Sequence, residues 1–255
     1  MMHIAVLGCG PAGMMVAHAL AREQVDFDIF SDRAAPSPMG GAMYLHVAVP
    51  GLTEADPDGR IQVIKRGTEG GYRHKIGRNA RVGTSWTKFK DGLLPVWNLQ
   101  AAYAKLWTAY SGAVKELKVH RSLLEWLLGT YDAVYSTIPK WVLCGRPEHE
   151  FATQQVWIRT GEDLGVPADT MIYSGKSDEA WYRASNIFGS QSKEYPREQL
   201  GGVLVRKPLF NTCNCHPEVF RFGRYGCWEK HWLTHDAYTG ARDSVRMLNA
   251  VHKVR

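Results

Sequence analysis

IAVLGCGPAGMMVAHAL, at residues 4–20, contains three glycines with the spacing G-x-G-x-x-G. They follow a predicted strand and open a predicted helix. In this spacing Gly8 permits a tight turn, Gly10 leaves room for a pyrophosphate against the backbone, and Gly13 lets the helix pack closely on the strand. Free N–H groups at the helix start attract phosphate. We therefore predict a dinucleotide-binding turn rather than a purely structural one.

The residues on either side of this turn predict a βαβ unit. An apolar strand covers 3–7, a helix with an apolar face covers 11–22, and a second strand covers 26–32. In dinucleotide-binding units an acidic residue at the end of the second strand binds the ribose. Asp32 is predicted for this role, although Ser31 takes the usual position if the strands align without a gap. The alternative is an aspartate that only stabilises a turn or a helix cap.

The rest of the chain alternates strand-rich stretches with helices. Between 44 and 92, glycines interrupt short strand-like segments, and hairpins fit this pattern better than helices. The predicted strands cover 61–65, 72–76, 131–139, 151–160 and parts of 168–188. One predicted helix is capped by Asn98 and runs to about Tyr110, and another covers 236–253. The last helix has a predicted apolar stripe of Ala237, Ala241, Val245, Leu248 and Val251.

This order of elements predicts an α/β fold, with a Rossmann-like cofactor-binding domain and an inserted strand-rich substrate domain. The cofactor-binding domain would be assembled from three separate parts of the chain. The predicted segments are 1–50, 93–145 and 206–255 for the cofactor-binding domain, 51–92 for an inserted strand-rich part, and 146–205 for the substrate domain.

Composition limits the class of protein without identifying it. The 255 residues are 45% hydrophobic and 22% charged, which is typical of a globular chain with a sizeable core. The net charge of +6 permits an anionic cofactor, an anionic substrate or a nucleic acid. The basic stretch 65–81 is interpreted as a solvated loop rather than a nucleic-acid groove. Without a signal peptide or an apolar span, and with five cysteines, we expect a cytoplasmic protein that does not enter a membrane.

Four stretches resemble one group of flavoproteins. GCGPAGMMVAHAL at 8–20 resembles the flavin form of the glycine motif, G-x-G-P-A-G. YDAVYSTIP at 131–139 and FGRYGCWEKHWLTHDAYTGARDSV at 222–245 resemble cofactor-contacting segments of the amine oxidase and UDP-galactopyranose mutase group. MGGAMY at 39–44 is similar to the group's second glycine pair, although the arginine that usually follows is missing here. The chain is also shorter than typical members, so the resemblance implies a minimal member, with a phage type among the alternatives.

The resemblance implies FAD as the cofactor and assigns residues to it. The adenosine and pyrophosphate side would be held by Gly8, Gly10, Pro11, Ala12, Gly13, Asp32 and Arg33. The flavin side would be approached by Gly40, Gly41, Met43, Ile138 and Pro139, and by the C-terminal turn with Gly223, Arg224, Tyr225, Gly226 and Trp228. For Arg224, a plain surface arginine is the alternative.

Three residues are candidates for catalysis or substrate binding. Tyr182 and Arg183, in EAWYRASNIFG at 179–189, could line a pocket in which the guanidinium binds a carboxylate or phosphate. A strand whose aromatic side chains pack the core is an equally good interpretation. His46 could act as an acid or base near the flavin. A core histidine with satisfied hydrogen bonds is the simpler interpretation for it.

The cysteines raise the question of a metal. Cys213, Cys215, His216 and Cys227 could form a tetrahedral zinc site. Because C-x-C is a less common arrangement than C-x-x-C, we expect buried cysteines without a metal. A redox-active thiol near the flavin is a further alternative.

Together these features predict an FAD-dependent oxidoreductase that oxidises a C–N or C–O bond by hydride transfer to the flavin. The expected substrate is a small-molecule or nucleobase-linked amine. Three alternatives stay open: a flavoenzyme that modifies a nucleobase adduct in DNA, such as an aminoacyl-thymidine; a redox-neutral mutase of a nucleotide sugar; and a non-catalytic FAD-binding module. The sequence leaves the electron acceptor and the oligomeric state undetermined.

Overall fold

The computed structural model describes residues 2–36, 39–76 and 92–252. In chain order, the helices and strands are β1 (His3–Leu7), α1 (Pro11–Arg22), β2 (Asp26–Ser31), β3 (Tyr44–Leu45), β4 (Gly59–Gly67), α2 (Glu69–Ile76), β5 (Gly92–Asn98), α3 (Leu99–Tyr110), β6 (Val114–Glu116), α4 (Arg121–Thr130), β7 (Ala133–Ser136), β8 (Phe151–Thr160), β9 (Thr170–Gly175), β10 (Arg183–Ile187), β11 (Ser190–Tyr195), β12 (Val203–Asn211), β13 (Phe220–Arg221), α5 (Gly223–Cys227) and α6 (Thr234–His252).

These elements form two compact units. The first unit contains residues 2–36, 101–152 and 210–252, and the second contains 39–76, 92–100 and 153–209.

The first unit is built on a parallel sheet. Its strands lie in the order β13-β7-β1-β2-β6, and β1 pairs in parallel with both β2 and β7. Strand β1 is therefore the point from which the chain order runs in opposite directions across the sheet. Ligands of such sheets bind at the carboxyl ends of the strands at this point. The predicted βαβ unit is confirmed.

Helices cover this sheet with apolar side chains. Leu124 and Leu127 of α4 are fully buried in a cluster that includes Ala5 and Leu7 of β1. Helix α1 packs against the C-terminal helix α6, and every residue of α1 from 13 to 20 is buried. The predicted apolar stripe of the last helix is confirmed at Ala237, Ala241 and Val245, all of which are fully buried.

The second unit is built on a large mixed sheet. Its strands lie in the order β12-β8-β11-β10-β9-β4-β5-β3. Strands β4 and β9 pair in parallel, whereas β10 pairs antiparallel with both β9 and β11. The core on this sheet is rich in aromatic residues and contains Tyr72, Tyr173 and Tyr182 among its buried members.

The unit boundaries differ from the predicted segments. The short strand in the stretch 39–50 belongs to the second unit, because Tyr44 and Leu45 pair antiparallel with Asn98 and Trp97. The predicted substrate domain ends at 205, but residues 206–209 also belong to the second unit, because they continue the long strand β12.

A strand predicted over 72–76 is wrong, because these residues lie in helix α2. The hydroxyl of Thr68 accepts a hydrogen bond from the Gly71 backbone N–H (3.1 Å), which supplies a cap at the helix start. A Cβ at Gly71 would overlap the carbonyl oxygen of Gly175, so the helix lies directly against β9. None of the helices in the described part of the chain is long and apolar enough to cross a membrane.

The neighbouring glycines of α2 offer a matched test of this packing. We expect Gly71→Ala to lower the free energy of unfolding by about 3 kcal/mol or more, because the added methyl overlaps backbone that cannot move away cheaply. Gly70→Ala should be neutral or stabilise by up to about 1 kcal/mol, because no atom lies within 4 Å of a Cβ at that position. Urea unfolding of both variants measures the difference. Equal stabilities would contradict the close approach of α2 to β9.

Candidate functional site

The turn between β1 and α1 is shaped by contacts that exclude side chains. Gly8 has a φ of +99°, and a Cβ there would lie 2.8 Å from Oγ1 of Thr137 and 2.9 Å from Cγ2 of Ile138. A Cβ at Gly13 would overlap the carbonyl oxygen of Gly8. Glycine is therefore required at both positions, for the reasons that the motif predicts.

The start of α1 can accept an anion. Gly10 is the N-cap residue, with extended backbone (φ −67°, ψ 177°), and it has no side chain to cap the helix. Pro11 follows at the first helical position and has no N–H to satisfy. The N–H groups of the next residues lie at the positive end of the helix dipole, where a phosphate can replace a capping side chain.

The C-terminal turn packs against this same region. Gly223 has a φ of +70°, and a Cβ there would lie 2.7 Å from Cβ of Ala12. A Cβ at Gly226 would lie 2.5 Å from the carbonyl oxygen of Ser136, the last residue of β7. Trp228 ends α5 in the left-handed conformation, and its indole N–H donates to the carbonyl of Ala152 (3.2 Å). The structure thus brings three predicted segments, 8–13, 138–139 and 223–228, to one edge of the parallel sheet.

Two other members of the predicted cofactor set are less enclosed. Arg224 lies in α5 and is half-buried. Tyr225 is 38% exposed, and its ring centroid lies 6.1 Å from that of Trp228. Pro139 directly precedes a short 3₁₀ helix at Lys140–Val142.

At the end of β2 the predicted ribose partner lies outside the strand. Ser31 is the last strand residue and is buried, and its hydroxyl accepts from the thiol of Cys9 (3.1 Å) and from the Arg33 backbone N–H (3.4 Å). Asp32 follows in the loop and its side chain is 70% exposed, with a carboxylate oxygen 4.0 Å from Nε of Arg33. Ser31 therefore holds the loop in place, and Asp32 and Arg33 face solvent.

A buried ion cluster lies in the second unit, and sequence reasoning identified only half of it. We define the Glu194 cluster as Tyr182, Arg183, Glu194 and Lys207. The Glu194 carboxylate is 1% exposed and pairs with the Arg183 guanidinium, while it accepts hydrogen bonds from the Tyr182 hydroxyl (2.7 Å) and the Lys207 ammonium (2.6 Å). Arg183 and Glu194 face each other directly across β10 and β11. The two cations are more exposed than the carboxylate, at 25% and 18%.

Mutual charge keeps the Glu194 cluster ionised. Burial alone would raise the pKa of Glu194, but the charges of Arg183 and Lys207 outweigh it and lower the pKa to about 2. Burial would also lower the pKa of Arg183, but the facing carboxylate holds it well above the ordinary value. Burial, followed by the charge of Glu194, raises the pKa of Tyr182, so this hydroxyl stays protonated and donates. The cluster therefore consists of one carboxylate that forms ion pairs with two cations.

The predicted second glycine pair lies in the second unit. Gly41 is buried with a φ of +91°, and a Cβ there would lie 3.2 Å from Oε1 of Glu194. Gly40 is exposed, and Met43 is half-buried. The structure therefore places Gly41 beside the Glu194 cluster, which the sequence did not indicate.

His46 is not a core histidine, so the simpler interpretation of this residue is wrong. It is exposed, and its ring centroid lies 4.6 Å from that of Tyr44.

Only part of the stretch 179–189 contributes side chains to the Glu194 cluster. Trp181 instead packs against a separate small core that contains Val166, Ile172 and Ala184. The hydroxyl of Ser185 is paired with that of Ser192 (2.9 Å). The core interpretation therefore holds for Tyr182 and Trp181, which pack in the two apolar cores of this sheet, and the pocket interpretation stays a prediction for Arg183.

The sequence did not indicate Glu194 because it lies in the polar stretch SQSKEY, which suggests solvent, whereas Lys207 lies in the largely apolar strand VLVRKPLFN. Within SQSKEY of β11, Ser192 and Glu194 are buried and alternate with partly exposed residues.

Comparisons with known proteins identify the fold but no family. No protein-family model matches the chain, and no curated protein sequence does. Among solved structures, 2,6-dihydroxypyridine-3-hydroxylase from Arthrobacter nicotinovorans is 12% identical with a TM-score of 0.53, over 98% of this chain and 83% of that chain. Tetracycline destructase Tet(51) is 10% identical with a TM-score of 0.54, over 98% and 82%. HpxO from Klebsiella pneumoniae, complexed with FAD, is 12% identical with a TM-score of 0.53, over 99% and 84%.

At these identities the likeness concerns the fold alone. It confirms the predicted α/β class, in which a Rossmann-like unit is combined with an inserted strand-rich unit. It does not single out the amine oxidase and UDP-galactopyranose mutase group.

The Glu194 cluster predicts a specific acid response. Because the pKa of Glu194 is about 2 in the folded protein and 4.5 ordinarily, its ionisation stabilises the fold above about pH 4.5, and this contribution is lost as the pH falls towards 2. Glu194→Gln should destabilise the protein at neutral pH by an amount on the order of 3 kcal/mol, and the difference from wild type should shrink below about pH 4.5. Urea unfolding at several pH values measures this.

Glu198→Gln is the matched control, because Glu198 is exposed on the same stretch of chain. It should follow the wild-type profile. If the free energy of unfolding of Glu194→Gln differs from that of wild type by the same amount at every pH, the carboxylate is not held ionised by its partners.

Proposed function

We propose that the chain binds FAD and is an FAD-dependent oxidoreductase. The observation that carries the proposal is the β1–α1 turn, where Gly8 and Gly13 are required by contact and Gly10 leaves the helix start open to an anion. The fold supports the choice of FAD, because HpxO shares it over 99% of this chain and was solved in complex with FAD.

The residues at the carboxyl edge of the parallel sheet have distinct roles in this proposal. The backbone N–H groups of Ala12 and Gly13 bind the pyrophosphate at the start of α1. Asp32 binds the ribose, with Ser31 fixing the loop that carries it. The segments 138–139 and 223–228 form the wall nearer the flavin. When bound, FAD supplies the two-electron redox chemistry, and the protein orients the substrate and excludes water.

The Glu194 cluster supports a substrate with an anionic or electron-rich oxygen group. Glu194 is almost fully enclosed and orients Arg183 and Lys207, whose side chains are partly exposed. Burial raises the pKa of Tyr44, Tyr72 and Tyr173 despite the opposing charge of Arg183, so these three hydroxyls stay protonated in the field of the guanidinium. A planar guanidinium held in this way binds a carboxylate, phosphate or phenolate through paired hydrogen bonds.

Two reaction classes follow for the oxidoreductase. Hydroxylation takes up molecular oxygen and a reduced nicotinamide, places one oxygen atom on the substrate and releases the other as water. The fold shared with a hydroxylase of 2,6-dihydroxypyridine, an electron-rich ring, favours this class. Oxidation of a C–N or C–O bond is the second candidate, and the resemblance of MGGAMY to the amine-oxidase group favours it. In this class the substrate loses a hydride and a proton, and molecular oxygen is then reduced to hydrogen peroxide.

The two classes differ in their need for an external reductant. Purified protein is first denatured, and the released cofactor is identified by mass. Candidate substrates are then screened without and with NADH or NADPH. Flavin bleaching by the substrate alone under anaerobic conditions, followed by peroxide release in air, supports C–N or C–O oxidation. Substrate-stimulated oxidation of the nicotinamide, with labelled oxygen from O₂ in the product, supports hydroxylation. A chain that neither retains nor takes up FAD would refute the proposal.

The role of Gly10 gives a direct test of cofactor binding. Its backbone conformation is one that alanine adopts without strain, so Gly10→Ala should fold. The added methyl occupies the space of the pyrophosphate, and we expect FAD affinity to fall roughly tenfold or more. Fluorescence titration of the apoprotein with FAD measures this.

Gly112→Ala is the matched control, because a Cβ there meets no atom within 4 Å. It should bind FAD as the wild type does. Unchanged FAD affinity in Gly10→Ala, with the melting temperature close to wild type, would exclude this turn as the pyrophosphate site.

A further inference from the structure

Four potential metal ligands converge in the first unit, away from the glycine turn in sequence. They are Cys144, His149, Cys213 and Cys215, and their ligand atoms all lie within 4.8 Å of one another. The first pair follows the short 3₁₀ helix after β7, and the second pair follows β12. Two separate stretches of chain therefore contribute two ligands each.

The spacing of these atoms matches a tetrahedral zinc site. With Zn–S near 2.3 Å and Zn–N near 2.0 Å, two sulfurs on one zinc lie about 3.8 Å apart, and a sulfur and a nitrogen about 3.5 Å apart. The Sγ atoms of Cys144 and Cys215 lie 3.9 Å apart. Nδ1 of His149 lies 3.6 Å from Sγ of Cys215 and 3.2 Å from Sγ of Cys144. We propose that these four residues bind one zinc ion in a closed Cys₃His structural site.

Neighbouring cations fit the charge of such a site. Three thiolates around a divalent zinc leave one net negative charge. The Lys140 ammonium donates to Oδ1 of Asn211 (2.8 Å), the same atom that accepts from the Cys213 backbone N–H (3.0 Å). The Arg221 guanidinium donates to the carbonyl oxygen of Cys215 (3.2 Å). Both cations are thus bound to the backbone or side chains that hold the ligands, where they offset the negative charge.

Hydrogen bonds between Glu150 and Thr212 join the two stretches directly. The Glu150 backbone N–H donates to the Thr212 hydroxyl (2.9 Å), and the Thr212 backbone N–H donates to the carbonyl oxygen of Glu150 (3.1 Å). Each of these residues is next to a proposed ligand, His149 or Cys213. The hydrogen bonds fix the register of the two stretches, so the ligands are preorganised.

The proposed ligand set differs from the one that the sequence suggested, and the sequence favoured no metal at all. His216 is directed elsewhere, with Nδ1 3.1 Å from a carboxylate oxygen of Glu218. The thiol of Cys227 lies 3.3 Å from the carbonyl oxygen of Arg221. The soft thiolates and the imidazole select zinc over magnesium or calcium, and four protein ligands leave no open position for catalysis.

Metal content tests the site independently of FAD and of any activity. We expect about one zinc per chain, by elemental mass spectrometry, in protein purified under reducing conditions. Cobalt exchanged into the site should show the visible bands of a tetrahedral, thiolate-bound ion. His149→Gln and Cys215→Ser should lose most of the zinc. His216→Gln and Cys227→Ser, the matched controls, should keep it.

A second measurement avoids dependence on the variants' folding. Removing the metal from wild-type protein with a chelator should lower the melting temperature, and adding zinc should restore it. Absence of zinc together with absence of tetrahedral cobalt binding would overturn the proposal. So would a Cys144–Cys215 disulfide that persists in reductant, or equal zinc loss in the variants and their matched controls.

Discussion

Helix α1 begins so close to the end of β1 that a Cβ on Gly13 would overlap the backbone of Gly8. Hydrogen bonds to three neighbouring segments of the first unit hold the same turn. The Gly8 N–H donates to Phe30 of β2, and the carbonyl of Cys9 accepts from the Tyr103 hydroxyl. On the other side, the Thr137 hydroxyl donates to the carbonyl of Leu7. Four elements meet at this turn: β1, β2, α3 and the end of β7. The close approach of α1 to β1 therefore determines the shape of the candidate cofactor site.

Features encoded by neighbouring residues were predictable from the sequence. The strand β1, the helix α1 and the strand β2 follow from glycine spacing and apolar periodicity, and the apolar stripe of α6 follows from a period of 3.6. Helix α2 was not predictable, because its position depends on Gly175, which lies about a hundred residues further along the chain. Only the tertiary structure brings the backbone of β9 against Gly71.

The functional groups show the same limit. Tyr182 and Arg183 stand out as an aromatic residue and a cation next to each other in the sequence, but their partner Glu194 lies in a stretch that resembles an exposed hairpin. Likewise, the zinc set pairs a local C-x-C with Cys144 and His149, which are distant in sequence. In both cases a motif identified one half of the cluster. The other half became visible only where two stretches of chain pack together, because pairing across strands or loops leaves no local periodicity.

The assembly of the first unit from both ends of the chain has a consequence during synthesis. The buried face of α1, with Met14, Met15 and Leu20, leaves the ribosome well before its packing partner α6, which begins at Thr234. About two hundred residues must be translated between α1 and α6 before that face is covered. Until then the nascent protein carries an exposed apolar helix, which is the kind of surface that chaperones bind and that drives aggregation. A message that stops before Thr234 would therefore yield a product recognised by quality control.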